Sequence, residues 1–364
     1  MMSVIIGLGV VLVLAILYML FRIGNLVGLV KGNTEEIDES ANSSHAYLFL
    51  LFLVAGLAVF FWYSFTFYED YTLPVASEHG LITDGLFWIT MAVTVASFTV
   101  IFIGMFWFTF KYRYSKNRKA EFYPDNHKLE LLWTVVPAIV LTLLVFRGLT
   151  VWSDITAPAS KEAEAIELVA HQFAWTVRYP GVKDKELGKH SFQMIDAMNE
   201  FGLDLSDKNS YDDFKSLELH LPKGKEVLLN IRAKDVLHSV FLPHFRVKMD
   251  AVPGMRTYFK FTPTKTTEEM RAETGNANFN YELACTEICG KGHFSMRLLV
   301  VVEEPEAYEK WKAAQEPWLK QNPDYLKRVP AELKEVALIK SGLPLEGKVI
   351  DQAAVVPVVN SSLN

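Results

Sequence analysis

The sequence predicts a membrane α-helical anchor of four transmembrane helices, followed by an all-β Greek-key sandwich. Two observations carry that expectation. Apolar residues concentrate in the first 152 of 364 positions, in four runs near the roughly 20 residues that cross a bilayer as a helix. Beyond Trp152 the pattern changes to short β-rich runs divided by Gly, Pro and Asn turn signals.

The four runs are Val4 to Phe21, Ala46 to Tyr68, Leu86 to Phe110 and Leu131 to Trp152. Pro137 lies inside the fourth and is expected to kink it. Arg147 lies near its end, where its head can reach the lipid headgroups. A cleaved secretory signal competes for the first run. The start Met1-Met2-Ser3-Val4 has no positive segment and no small-residue cleavage site follows, so a retained helix is the expectation.

Loop charges give the orientation. The third loop, Lys111 to Lys128, carries Lys111, Arg113, Lys116, Arg118, Lys119 and Lys128, and the second, Glu69 to Asp84, carries no Lys or Arg. Basic loops stay in the cytoplasm, so the N-terminus and the C-terminal domain fall outside. In the first loop Arg22 and Lys31 agree with a cytoplasmic side, and the acids Glu35, Glu36, Asp38 and Glu39 do not count in that rule.

The external segment reads as strands at Ala165–Val169, Gln172–Tyr179, Leu217–Leu221, Val227–Ile231, Val236–Leu242, Met255–Phe261, Asn278–Ala284 and Met296–Val302. Turns are expected at Leu221 to Lys225, Val252 to Gly254 and Thr274 to Asn276. Such spacing suits a sandwich or a barrel. The polar stretch 181–216 reads as an insertion. After Glu303 a helical stretch to about Gln321 precedes a loosely structured tail.

A net charge of −6 without a basic tract points away from nucleic acid. The only cysteines, Cys285 and Cys289, belong to no C-x-x-C-H motif, and no histidine lies inside the spans. No haem is therefore expected in this chain.

The chemistry concentrates in Cys285-Thr286-Glu287-Ile288-Cys289-Gly290-Lys291-Gly292-His293-Phe294-Ser295-Met296. Thiolate, imidazole and thioether on one loop, with His238 from an earlier strand, suit a copper site with a weak axial methionine. The second thiolate allows two bridged copper ions, with His238 and His293 one to each. Met296 and the main-chain carbonyl of Glu287 are then the weak donors. Two other readings stay open for these cysteines: a structural disulfide and a Cys₂His₂ zinc site. His244 is the rival to His238, and ordinary strand histidines are the plainest reading of both.

Here the sequence resembles subunit II of haem-copper cytochrome c oxidases. The likeness covers about Asp84 to Glu303 and includes the copper loop, Asp235-Val236-Leu237-His238-Ser239, Lys248 to Gly254, and Asn126 to Pro137. It implies a cupredoxin-like domain at 153–303 and a two-helix hairpin at 84–152; the N-terminal extension at 1–83, with two additional helices, departs from the family, and a C-terminal helix and tail follow at 304–364. The implied copper ligands are His238, Cys285, Glu287 through its main chain, Cys289, His293 and Met296. The Glu287 carboxylate would also help hold magnesium at the interface with subunit I, hard oxygen suiting that ion. Glu130 matches the mouth of a proton pathway, and its plainer reading is an acid favoured by the helix dipole.

The implied function is a proton-pumping oxidase subunit in a bacterial inner membrane, its copper domain periplasmic. It takes electrons from a cytochrome c and passes them to haem in subunit I, which reduces oxygen; other oxidase subunits complete the assembly. The copper subunit of a nitric oxide reductase is the alternative. A quinol oxidase subunit, which lacks this copper site, conflicts with the intact ligand set. A non-redox adhesion module is the remaining class. One departure concerns His171-Gln172-Phe173-Ala174-Trp175: Phe173 stands where the family has an electron-accepting tryptophan, and Trp175 is retained. A membrane-tethered or supercomplex-bound cytochrome c is the donor this suggests. Glu200, Asp204, Asp207, Asp212, Asp213 and Asp235 are available for a docking patch, or are ordinary solvated charges.

Overall fold

The computed structural model describes residues 2–30, 39–183 and 185–345. Lys31, Glu35, Glu36, Asp38 and the tail from position 346 lie outside the described residues. The chain divides into two compact units: Met1–Tyr68 with Ala92–Leu131, and Glu69–Met91 with Leu132–Asn364.

The first unit is helical. It holds α1 (Met2–Val30), α2 (Glu39–Phe67), most of α3 (Glu78–Lys111) and the first turn of α4 (His127–Thr156). Four helices are long and apolar enough to cross a membrane, at Val11–Gly28, Glu39–Tyr71, Glu78–Lys111 and His127–Thr156. α1, Met2–Val30, contains the expected run Val4 to Phe21 and continues past Arg22. α4 continues through Pro137. Within this unit α2 and α3 meet through aromatic side chains, with Phe52 and Phe106 ring centroids 5.7 Å apart and Phe60 and Phe98 5.8 Å apart.

The second unit is a β-sandwich of cupredoxin type. Its strands are β1 (Glu164–His171), β2 (Ala174–Tyr179), β3 (Phe214–Ser216), β4 (Leu219–Pro222), β5 (Val227–Ala233), β6 (His238–Leu242), β7 (Val247–Ala251), β8 (Thr257–Phe261), β9 (Tyr281–Cys285) and β10 (Arg297–Glu303). One sheet has the order β3-β2-β1-β5-β8 and the other β4-β10-β9-β6-β7. β1 runs parallel to β5 and β10 parallel to β4. The buried faces of both sheets, among them Ile166, Leu168, Leu229, Ile231, Val240, Leu283 and Val300, make one apolar core. Val151 and Ile155, at the end of α4, are buried in that core. Ser77 donates to the Phe245 carbonyl at 2.7 Å and Arg246 grips Asp84 at 2.7 and 2.9 Å, lashing the start of α3 to the sandwich.

Three expectations need correction. β3 and β7 were not anticipated, being short and mixed in polarity. The turn expected at Thr274 to Asn276 ends α5 (Thr267–Thr274), a helix opened by a Thr266–Glu269 capping box and closed by Gly275 at φ +66. The tail is ordered well beyond Gln321, through α6 (Pro305–Ala313), α7 (Trp318–Gln321) and α8 (Lys334–Ser341). It folds because the insertion supplies its core: Phe201, Leu203, Leu205 and Tyr211 are buried with Trp318, Leu319, Val329 and Ala337.

A buried ionic network joins that insertion to the sandwich. Arg178 Nε lies 2.6 Å from Glu167 and its Nη1 2.5 Å from Asp213, while Arg232 bonds Glu167 at 2.8 Å. Burial alone would raise Glu167, but Arg178 and Arg232 overcome it and hold its carboxyl at about 2. Burial pushes Asp213 up to about 7 against the pull of the same arginine.

Candidate metal centre

Two neighbouring strands and one loop build the site. β6 opens on His238, and β9 ends on Cys285, with Val240 and Cys285 in register. The loop then carries Glu287 and Cys289, makes a tight turn at His293–Ser295 and re-enters the sheet after Met296. The Cys285 N–H bonds the Met296 carbonyl at 3.1 Å, which closes the loop at its base. Cys285, Cys289, Met296 and His238 are all buried.

The donor atoms converge. The two sulfurs are 3.9 Å apart. Cys285 Sγ lies 3.8 Å from His238 Nδ1 and 3.2 Å from the Glu287 carbonyl. Cys289 Sγ lies 3.6 Å from His293 Nδ1 and 3.8 Å from Met296 Sδ. Donors about 2.0–2.3 Å from a shared tetrahedral ion lie about 3.5 Å from each other. The observed separations are near that figure, and the six donors fit metal ions of the soft type. A disulfide needs sulfurs about 2.05 Å apart, so the cysteines, which are free, do not form one here. Burial and the neighbouring Cys285 push the Cys289 thiol up to about 11, a penalty that a bound cation reverses.

The surroundings orient these donors. His238 Nε2 faces Asp235 Oδ1 at 2.9 Å, which leaves Nδ1 free to ligate. Burial would raise Asp235, but bonds from the Gln172 N–H, His238 and the Val236 N–H hold it below the usual carboxylate range. The Gln172 side-chain amide donates to the Cys289 carbonyl. Trp175 is buried, with its ring centroid 6.2 Å from that of His238. Phe173 covers the loop from outside: a Cβ on Gly292 would come within 2.6 Å of its ring.

The expected residues therefore separate into two places. His238, Cys285, Glu287, Cys289, His293 and Met296 come together, with Phe173 and Trp175 beside them. His244 does not join them; its Nδ1 faces the Pro74 carbonyl at 3.0 Å. Glu287 turns its carboxylate to Lys248 Nζ at 3.6 Å. Glu130, which belongs to the first unit, opens α4, accepting from the Asn126 N–H at 3.4 Å and pairing with His127 at 3.1 Å, a capping arrangement.

The six acids do not form one docking patch. Asp212 and Asp213 are buried. Asp235 orients His238, Glu200 pairs with Lys215 and Lys234, and Asp204 and Asp207 bond loop N–H groups. The orienting roles of Asp235 and Gln172 were missed from sequence, although Asp235 stands three residues before a ligand histidine.

Two family descriptions match the chain: "Cytochrome C oxidase subunit II, periplasmic domain" at residues 164–304 and "Cytochrome C oxidase subunit II, transmembrane domain" at residues 61–151. The chain is 34% identical over 270 residues to the alternative cytochrome c oxidase subunit 2 of Bradyrhizobium diazoefficiens, covering 72% of this chain and 89% of that one. It is 28% identical to the cytochrome c oxidase subunit 2 of Thermostichus vulcanus, covering 65% and 76%. Among solved structures, the periplasmic domain of a Bradyrhizobium japonicum cytochrome oxidase subunit II aligns at 22% identity and a TM-score of 0.29, over 43% of this chain and 94% of that one.

Proposed function

The chain belongs to the cytochrome c oxidase subunit II family, the copper-domain subunits of haem-copper oxidases, and we propose that it carries electrons singly from a cytochrome c to the haem of subunit I, where oxygen is reduced to water. The observation that carries this reading is the convergence of two thiols, two imidazoles, a thioether and a carbonyl at one site. Six donors exceed the four that one tetrahedral ion takes, which favours two ions over a single zinc. Two copper ions held there would supply one-electron transfer with little change of shape.

The protein's own residues give that site its properties. Cys285, Cys289, His238 and His293 would hold the copper, with Met296 and the Glu287 carbonyl as weaker donors that complete the set. With every donor position filled by the protein, the site suits electron transfer and not bond chemistry. Trp175, packed beside His238, and Phe173, over the loop, are proposed as the electron-entry region. Phe173 in place of a tryptophan favours a donor docked differently from a free soluble cytochrome, such as a membrane-tethered or supercomplex-bound one. Glu130 is proposed at the mouth of the proton pathway of a pumping oxidase, and the Glu287 carboxylate as a magnesium ligand at the subunit I interface. The copper domain is placed on the periplasmic side of a bacterial inner membrane.

The test is metal analysis with EPR on the purified oxidase. Two copper ions per chain and a mixed-valence signal are expected, and both should be lost in Cys285→Ser with the chain still membrane-inserted. One copper, or zinc, would sink the reading.

A further inference from the structure

A cavity of about 280 Å³ lies where the ends of α3 and α4 meet the sandwich, lined by Glu78, Arg147, Asp154, Glu226, Lys260 and Phe261 among others. Its floor is fixed by Val151 and Ile155, buried in the sandwich core, and its wall by the first turn of α3, where the Glu78 N–H bonds the Thr262 carbonyl at 3.1 Å. The depth is interfacial. Trp88 and Trp152 are exposed on the two helices, and Tyr258 is exposed on β8 with its hydroxyl on the Thr156 carbonyl. Tryptophan and tyrosine gather at the headgroup level of a bilayer.

Arg147 supplies the second observation. It sits in a helix apolar enough to span a membrane, and among the described residues no ion pair is seen for its guanidinium. At headgroup depth an arginine near a helix end reaches for the anionic groups there, lipid phosphates among them. Lys260 faces the same cavity from the sandwich, only loosely held by Glu226 at 3.9 Å. Two cations and three carboxylates around one opening are complementary to a zwitterion. A purely anionic headgroup would satisfy the cations but meet the carboxylates unfavourably.

We propose that this cavity binds the headgroup of one phosphatidylethanolamine molecule, its phosphate held by Arg147 and Lys260 and its ammonium by Glu78, Asp154 and Glu226. Guanidinium and phosphate pair strongly where water is partly excluded. The acyl chains would run down the apolar faces of α3 and α4, so the lipid seals the junction between anchor and sandwich.

The whole oxidase complex, in nanodiscs of phosphatidylcholine with a trace of photoactivatable phosphatidylethanolamine, tests this. Crosslinks to the end of α4 or to β8 are expected, with one phosphatidylethanolamine retained per copy of this chain in native mass spectrometry. Arg147→Gln with Lys260→Gln should lower retention about tenfold, and Arg147→Lys should restore part of it. Unchanged copper spectra in these variants show that the fold persists. Equal retention in the double variant overturns the proposal. So does displacement by millimolar inorganic phosphate, which would mark a free-anion site, or equal uptake of phosphatidylglycerol. A crosslink from this cavity to another oxidase subunit, with no lipid retained, overturns it as well.

Discussion

Asp235 illustrates how little freedom the ligand residues have. Its carboxylate bonds the Nε2 of His238 at 2.9 Å and receives the Gln172 N–H at 2.7 Å, so the imidazole can present only Nδ1 to the thiols. Removal of such a partner typically weakens metal binding 10- to 100-fold. Asp235→Asn should therefore give up copper to a chelator about that much more readily, while Cys285 and Cys289 still bind it; an unchanged chelator titration would remove Asp235 from the site. The ligand loop was legible in sequence because its donors are close in the chain. Gln172 was not, since its side chain reaches the Cys289 carbonyl 117 positions on; Asp235 is close to His238 in the chain, but only the folded turn aims its carboxylate at Nε2. The acidity of Glu167 also belongs at this scale. Its carboxyl stands near 2 instead of 4.5, so it stabilises the fold above pH 4.5 and that contribution is lost as pH falls toward 2. The shift corresponds to about 3 kcal/mol. Asp213, raised toward 7, acts in the opposite sense, so the quantity to measure is the difference between the native chain and Glu167→Gln. The native chain should be the more stable at neutral pH, and the gap should close between pH 4.5 and 2 in denaturant titrations.

Elements separate into those that sequence periodicity reveals and those that only a partner creates. The eight expected strands are short β-rich runs bounded by turn residues: β9 and β10 alternate buried with less buried positions, whereas β1, β2 and β4 are buried almost throughout. Insertion and tail lack such a pattern taken singly. Phe201, Leu203, Leu205 and Tyr211 form no regular face, and neither do Trp318, Leu319, Val329 and Ala337, yet together they make a second core. Trp318→Ala should remove about 3–5 kcal/mol of packing there. Limited proteolysis should then cut 181–216 while the copper spectrum stays intact. Loss of the spectrum in step with cleavage would mean that the two cores fold as one.

At the scale of the whole molecule, four helices long enough to span a bilayer precede a copper-type domain, and loop charges give the orientation. Trypsin should cut near Arg118 and Lys119 only in inverted vesicles and reach the sandwich only in right-side-out ones; the reverse pattern would invert the topology. By itself the sequence determined the helical anchor, the β-sandwich and the ligand loop, because hydropathy, alternation and donor spacing are local properties of the chain. Tertiary structure alone decided that His244 turns away to the Pro74 carbonyl, that Asp212 and Asp213 are buried and not a docking surface, and that the tail folds. Each of these depends on groups far apart in sequence sharing one low-dielectric space, where a charge must find its partner and an apolar side chain its neighbour.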